Sequence, residues 1–147
     1  MFGEQKGYRR ILLKKHCLGF VKQYVFNEMG NATCDCCNEI TTSRLTIHHL
    51  SYTRDSVKYT SFTNDITGRI QYYATLMNEV IANKDNLRIM CVPCHDEMES
   101  YIREVKRGEL GTLSESQERV PTHLLGMFLL TLERQGVVET ECKDGFY

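Results

Sequence analysis

Apolar residues recur at helical spacing in four stretches of the chain. Residues 8–29 predict a long first helix, either continuous or broken at Gly19, and residues 70–81 predict a shorter one. Residues 93–107 place apolar side chains at i, i+3, i+4 and i+7, which is the pattern of an amphipathic helix. A last helix is predicted over residues 122–135, where leucines and a phenylalanine recur at similar spacing.

Two shorter stretches alternate apolar and polar residues at the period of a β-strand. They cover residues 44–50 and 86–90, and the second strand leads directly into the amphipathic helix. Polar residues predominate in residues 51–68 and 109–120, which predicts loops in the first stretch and a linker in the second. Residues 137–140 are again strand-like. These elements together predict an α+β fold.

Length and composition favour one compact domain. The chain has 147 residues, of which 41% are apolar and 25% are charged, and its formal net charge of −1 gives no argument for a polyanionic partner. No apolar run reaches the roughly 18–20 residues that span a bilayer. The first residues also lack a secretory pattern, so we expect a cytoplasmic protein with no membrane partner.

The seven cysteines of the chain include two pairs of the Cys-x-x-Cys type, Cys34 with Cys37 and Cys91 with Cys94. Thiols stay reduced in the cytosol, and an odd number of cysteines also suits disulfides poorly. Two such pairs can present four sulfur atoms to one tetrahedral Zn²⁺ ion, so we expect a structural zinc site. Four buried structural thiols are the alternative, and Cys36 is a conceivable replacement for Cys37 in the first pair.

A second group of residues has the chemistry of metal binding and proton transfer. The motif Leu45-x-Ile47-His48-His49-Leu50 is followed by Asn86-Leu87 and by Cys91-x-x-Cys94-His95. This ordered combination resembles the HNH endonuclease family, also called the His-Asn-His or ββα-metal nucleases. The resemblance covers residues 34–99 approximately, and each fragment alone would be a weak signal.

The resemblance implies a role for each matched residue. His48 corresponds to the first metal ligand of the family and His49 to the general base. Asn86 corresponds to the middle asparagine, which in different members binds the metal or supports the loop. His95 corresponds to the last histidine, normally a ligand of the catalytic metal. Glu99 lies one helical turn later, where some members have a further histidine ligand, and is the weakest of these assignments.

The fold implied by the resemblance is a small ββα-metal core with a zinc-clamped hairpin. The nuclease domain would span residues 1–110, with an N-terminal helix at 7–29, the core at 34–107 and an insertion at 51–83. Residues 111–147 would form a C-terminal extension of a helix and a strand, for which capping of the core is the commonest outcome.

The function implied by the resemblance is metal-dependent cleavage of DNA by a phage, mobile-element or defence endonuclease. Besides the structural zinc, it requires a catalytic Mg²⁺ or another divalent cation, and the small size suggests a homodimer or a partner protein. A neutral imidazole can accept a proton from water near pH 7, which suits His49 as the base. An RNase on the same scaffold and a catalytically inactive zinc-stabilised binding module are the alternatives.

Two features of the sequence complicate this interpretation. Neighbouring residues of a regular strand point to opposite faces, so His48 and His49 can serve one site only at a strand end or a bulge. In addition, Asp96 and Glu97 follow His95 where many family members have basic residues, which weakens the expectation of tight DNA binding.

Overall fold

The structure is a computed structural model that describes residues 2–53, 56–109 and 113–137. Its elements follow the chain in the order α1 (Phe2–Met29), β1 (Leu45–His49), α2 (Ile66–Asn83), β2 (Leu87–Cys91), α3 (Val92–Lys106), α4 (Leu113–Arg119) and α5 (Thr122–Arg134). Short 3-10 turns lie at Thr42–Arg44, Tyr59–Ser61 and Lys84–Asn86. Over the described residues, five α-helices and one two-stranded antiparallel sheet confirm the predicted α+β class.

The described residues form two compact units, and the first combines α1 with residues 52–85. Helix α1 continues through Gly19 without a break and packs along α2. At this interface the ring of Phe26 meets the ring of Tyr73 edge to face, with 6.0 Å between their centroids. The buried residues of the two helices include Val25, Phe26, Tyr72, Tyr73, Leu76 and Val80.

Helix α2 begins four residues earlier than the apolar pattern predicts. Asp65 precedes the first helical residue and accepts a hydrogen bond from the backbone N–H of Gly68 at 2.8 Å, so its carboxylate caps the helix. The predicted loop over residues 51–68 is therefore wrong at its end, because a capping aspartate was counted as a loop residue. The 3-10 turn at Tyr59–Ser61 also lies in this stretch.

The second unit combines residues 33–51 with the described chain from Asn86 onward. Strands β1 and β2 pair antiparallel in an unbroken register that runs from Leu45 opposite Cys91 to His49 opposite Leu87. Helix α3 follows β2 without an intervening loop, and both α3 and α5 contribute to the core of the unit. The buried apolar residues of this core include Leu45, Ile47, Leu50, Leu87, Ile89, Met90, Met98, Ile102, Leu124, Phe128 and Leu132.

The predicted linker at residues 109–120 is wrong, because it contains α4. This helix has the sequence Leu-Ser-Glu-Ser-Gln-Glu-Arg. It has no apolar stripe, and its glutamate, glutamine and arginine residues favour the helix through their intrinsic propensity. Helix α5 then packs on α3 within the second unit. The strand predicted at residues 137–140 falls outside the described residues except for Val137, and the domain boundary near residue 110 stays a prediction.

A spanning helix requires roughly 20 predominantly apolar residues. None of the helices in residues 2–53, 56–109 and 113–137 is long and apolar enough to cross a membrane.

Candidate metal centres

Four cysteines from separate segments of the second unit come together. Cys34 and Cys37 lie at a tight turn before β1, Cys91 ends β2, and Cys94 lies in the first turn of α3. Their sulfur atoms all lie within 4.8 Å of one another, and Sγ of Cys37 is 3.5 Å from Sγ of Cys91. Zinc–sulfur bonds of about 2.3 Å place sulfur atoms about 3.8 Å apart in a tetrahedral site, so this cluster has the dimensions of a zinc centre.

Backbone hydrogen bonds hold the first cysteine pair against the sheet. The N–H of Cys34 donates to the carbonyl of Glu39 at 2.9 Å, and the N–H of Asp35 donates to the carbonyl of Ile89 in β2 at the same distance. Asn38 closes the turn in a left-handed conformation with φ of 65°, which asparagine tolerates. The turn and β2 are therefore connected independently of any bound ion.

Burial and backbone hydrogen bonds shift the pKa values of three thiols of the cluster in different directions. Burial raises the pKa of the Cys91 and Cys94 thiols. At Cys34, burial is outweighed by the backbone N–H groups of Cys91, Cys37 and Cys36, which together lower the pKa of that thiol. A bound divalent cation favours the thiolate form of every ligand, so the four sulfur atoms fit a zinc ion chemically as well as in their spacing.

Cys36 is not part of the four-cysteine cluster. Its backbone N–H points at Sγ of Cys34 at 3.4 Å, which is the kind of contact that stabilises a neighbouring sulfur ligand. Burial and the nearby Cys34, Asp35, Cys37 and Cys91 raise the pKa of the Cys36 thiol to about 12, so this side chain stays protonated at neutral pH. The structure thus favours Cys37 over Cys36 as the second member of the first pair.

A second cluster joins β1 to α3. His48 comes from β1, whereas His95 and Glu99 lie one turn apart on α3, and their ligand atoms all lie within 4.8 Å of one another. Oε1 of Glu99 is 3.4 Å from Nδ1 of His48 and 3.6 Å from Nε2 of His95. Ligand atoms bound at about 2.0–2.1 Å to a tetrahedral zinc ion lie about 3.3 Å apart, so these separations suit a shared cation.

Burial differs between the two ends of this cluster. The His48 side chain is 1% exposed, whereas the side chains of His95 and Glu99 are 26% and 33% exposed. Burial, followed by the charges of His95, His49 and Arg88, lowers the pKa of His48 to about 3, and burial also lowers the pKa of His95. Both imidazoles are therefore neutral at pH 7 and can offer a lone pair to a metal ion.

His49 is the last residue of β1 and pairs with Leu87. The register shows no bulge, and both His48 and His49 are paired within it, so adjacent side chains alternate between the two faces of the strand. The side chain is 2% exposed, and its Nδ1 is buried. His49 does not belong to the His/Glu cluster, although it is close enough to lower the pKa values of both His48 and His95.

Asn86 fixes the chain that leaves β1. Its Oδ1 accepts hydrogen bonds from the backbone N–H and the hydroxyl of Ser51, each at 3.2 Å, and its Nδ2 donates to the Ser51 carbonyl at 2.8 Å. The Asn86 carbonyl also accepts from the N–H of Leu50 at 2.9 Å. Of the two roles that the family resemblance allows this residue, the contacts match support of the loop.

Thr131 is a residue of this site that the sequence prediction missed. From the last turn of α5, its Oγ1 lies 2.9 Å from Nε2 of His48, and the same hydroxyl donates to the Met127 carbonyl at 2.7 Å. A signal for it is present in the sequence, because Thr131 follows Leu124 by seven residues and Phe128 by three. It is therefore a polar residue on the apolar face of α5, where burial requires a hydrogen-bond partner.

No protein-family model, curated protein or solved structure matches this chain. The fold and the two clusters define a small α+β protein with a four-cysteine group of zinc-site dimensions and a separate His/Glu group. The first group has the closed, all-sulfur ligand set of structural zinc sites. The second has two imidazoles and one carboxylate, a set that leaves coordination positions open for water or a substrate.

Proposed function

We propose that the protein is a metal-dependent endonuclease of the HNH type that hydrolyses phosphodiester bonds in DNA. The observation that supports this proposal most strongly is the convergence of His48, His95 and Glu99 within 4.8 Å at the junction of β1 and α3. His49 stands next to this cluster in the chain and supplies a further imidazole. A binding module stabilised by zinc would need the four cysteines alone.

His48, His95 and Glu99 would hold the catalytic cation. A divalent cation bound there would offset the negative charge that develops on the phosphate in the transition state. Imidazole nitrogens are typical ligands of Mn²⁺, Co²⁺, Ni²⁺ and Zn²⁺, whereas Mg²⁺ strongly prefers oxygen. Among the divalent cations that the resemblance allows, the donor set therefore favours a transition metal over Mg²⁺.

His49 would act as the general base. Its imidazole would accept a proton from the attacking water while the water oxygen forms a bond to phosphorus. The bond between phosphorus and the 3′ oxygen would break, and the departing oxygen would take a proton from solvent. The products would be a 5′ phosphate and a 3′ hydroxyl, as the family resemblance implies.

Basic side chains near the cluster would contact the phosphate backbone of the DNA. Arg103 is exposed and lies one turn after Glu99 on α3, and Lys106 is exposed near the end of the same helix. Asp96 and Glu97 oppose these charges at the other end of α3. We therefore expect moderate DNA affinity that falls with added salt, since the favourable contacts are phosphate contacts.

The test is cleavage of supercoiled plasmid by the wild-type protein and by His49→Ala, with EDTA and with added Mn²⁺, Co²⁺, Ni²⁺, Zn²⁺ or Mg²⁺. The matched control is His123→Ala, because His123 is an exposed histidine at the start of α5. Circular dichroism and zinc content establish that all three proteins are folded. The proposal predicts metal-dependent nicking or linearisation that is lost in His49→Ala and kept in His123→Ala.

The same assay separates the alternatives. Cleavage of single-stranded or structured RNA in place of plasmid would identify an RNase on the same scaffold. Folded, zinc-containing protein that cuts neither nucleic acid with any of the metals would contradict the nuclease proposal and favour the binding module.

A further inference from the structure

We propose that Thr131 in α5 is a positioning residue that fixes His48 with its Nδ1 lone pair directed at the metal position. The inference rests on the metal site of the proposed function and deepens it by assigning a role to the C-terminal helix. Its basis is the hydrogen-bond geometry of one buried hydroxyl group.

The hydroxyl of Thr131 has a single hydrogen, and this hydrogen is used at the Met127 carbonyl, 2.7 Å away. Toward Nε2 of His48, at 2.9 Å, the same oxygen can only accept. Nε2 must therefore carry the proton of the neutral ring. The other nitrogen, Nδ1, is left with a lone pair, and that nitrogen is the one that faces Glu99.

The distance from His48 to Glu99 agrees with this assignment. A protonated Nδ1 that donated to the carboxylate would form a charge-assisted hydrogen bond of about 2.7–2.9 Å. The observed separation between Nδ1 and Oε1 is 3.4 Å, longer than the contact with Thr131 and suited to two atoms that share one cation. The geometry thus assigns the hydrogen bond to one side of the ring and ligation to the other.

Burial strengthens the preference of His48 for this tautomer. Thr131 is 0% exposed and His48 is 1% exposed, so water does not compete for the hydrogen bond between the imidazole and the hydroxyl group. Reversing the tautomer would require the Thr131 hydroxyl to rotate away from Met127 and to lose that bond. Hydrogen-bond partners behind a ligating histidine typically hold its tautomer and orientation in this way.

Helix α5 is held at this position by a second contact. One turn after Thr131, Nε2 of Gln135 donates to the carbonyl of Leu50 at 3.1 Å. The buried side chains of Phe128 and Leu132 flank Thr131 along the helix. The segment predicted to be a C-terminal extension therefore supplies part of the site.

The test compares Thr131→Val, which removes the hydroxyl and keeps the shape, with Thr131→Ser, which keeps the hydroxyl. Thr122→Val is the matched control, since Thr122 is the exposed first residue of the same helix. Long-range ¹⁵N–¹H correlation spectra of the zinc-loaded protein without added metal report which ring nitrogen of His48 carries the proton. Calorimetric titration with Mn²⁺ reports the affinity of the His/Glu cluster.

We expect His48 to be protonated at Nε2 in the wild-type, Thr131→Ser and Thr122→Val proteins. In Thr131→Val this preference should be lost, and Mn²⁺ should bind about 10–100-fold more weakly, the usual effect of removing a group behind a ligand. Unchanged tautomer and unchanged Mn²⁺ affinity in Thr131→Val would overturn the proposal. If Thr131→Val does not fold, the wild-type spectrum still decides, because protonation at Nδ1 would also overturn it.

These measurements are separate from the nuclease assay. Mn²⁺ binding that depends on Thr131, in a protein that cuts no nucleic acid, would retain the positioning role and reject the proposed nuclease. If the wild-type protein cleaves nucleic acid but its His48 tautomer and Mn²⁺ affinity do not depend on Thr131, the nuclease proposal is retained and the positioning role is rejected.

Discussion

Cys94 and His95 are consecutive residues in the first turn of α3, yet their side chains belong to different clusters. The sulfur of Cys94 lies with three other thiols, whereas the imidazole of His95 lies with His48 and Glu99. Because neighbouring residues of a helix point about 100° apart, one helix start can serve two sites. Any ion that holds Cys94 in place therefore also fixes the position of His95.

Loss of the four-cysteine site should lower both the zinc content and the stability of the protein. Cys37→Ser should reduce bound zinc from about one equivalent to near zero, and should lower the free energy of unfolding by about 3 kcal/mol or more. Cys36→Ser is the matched control from the same turn and should retain zinc, because Cys36 lies outside the cluster. Elemental analysis and denaturant unfolding measure the two effects. Equal zinc loss in both variants would mean that the ligand set is assigned wrongly.

The elements that the sequence predicts well are those with local signals. Strands β1 and β2 and helices α3 and α5 have the periodicity of buried elements, and each cysteine pair is defined by a spacing of three residues. Helix α4 was missed because its helicity comes from residue propensity without an apolar stripe, and the start of α2 was missed because the cap at Asp65 looks like a loop.

The contact between Thr131 and His48 could not be predicted from the sequence. Thr131 is separated from His48 by 83 positions, and no local pattern connects two residues so far apart. Only the packing of α5 within the second unit determines that this threonine, and not another on the helix, meets the histidine. The family resemblance identified His48, His95 and Glu99 as candidates, but it carried no information about the residue behind them.

Gly68 offers a test of the packing at the start of α2. A Cβ atom added there would lie 1.9 Å from the carbonyl oxygen of Thr63, a backbone atom that cannot easily move away. Gly68→Ala should therefore lower the free energy of unfolding by about 2 kcal/mol or more. Gly126→Ala makes the same chemical change in α5, where the added Cβ would meet no atom within 4 Å beyond the adjoining backbone of its own helix, and should raise the free energy of unfolding by about 0.5–1 kcal/mol. Urea unfolding would show the opposite signs, and a Gly68→Ala protein as stable as the wild type would contradict the close approach of the Thr63 carbonyl to Gly68.

Lys22 gives the first unit a pH-dependent stability. Burial, with a smaller contribution from Arg69, lowers the pKa of Lys22 from 10.5 to about 8, although the amine also lies over the rings of Phe26 and Tyr73. Between these two pH values the unfolded chain binds a proton that the folded chain does not, so stability contributed by this residue rises with pH across that window. Below pH 8 the cost of burying the charge is present in full.

Replacement by methionine should remove this dependence. Lys22→Met should be more stable than the wild-type protein at pH 7, and the difference should shrink as the pH approaches 10.5. Melting temperatures of both proteins between pH 7 and 10.5 measure this difference in stability. Lys15→Met, an exposed position on the same helix, is the control and should show little difference at any pH. A gap between Lys22→Met and wild type that stays constant across this range would show that burial of the charge is not its cause.

Glu99 tests whether the His/Glu cluster binds a cation at all. Glu99→Gln keeps the size of the side chain but removes the charge from the oxygen that lies 3.4 Å from His48 and 3.6 Å from His95. Loss of one of three ligands should weaken Mn²⁺ or Zn²⁺ binding at this cluster by at least about tenfold, or about 1.4 kcal/mol. Glu97→Gln, two residues earlier on the same helix and exposed, changes the net charge identically and should bind the ion as the wild-type protein does. Calorimetry on zinc-loaded protein measures the affinity of each variant. Equal affinities in Glu99→Gln and Glu97→Gln would mean that the overall negative charge of α3 attracts the ion and that Glu99 is not a direct ligand.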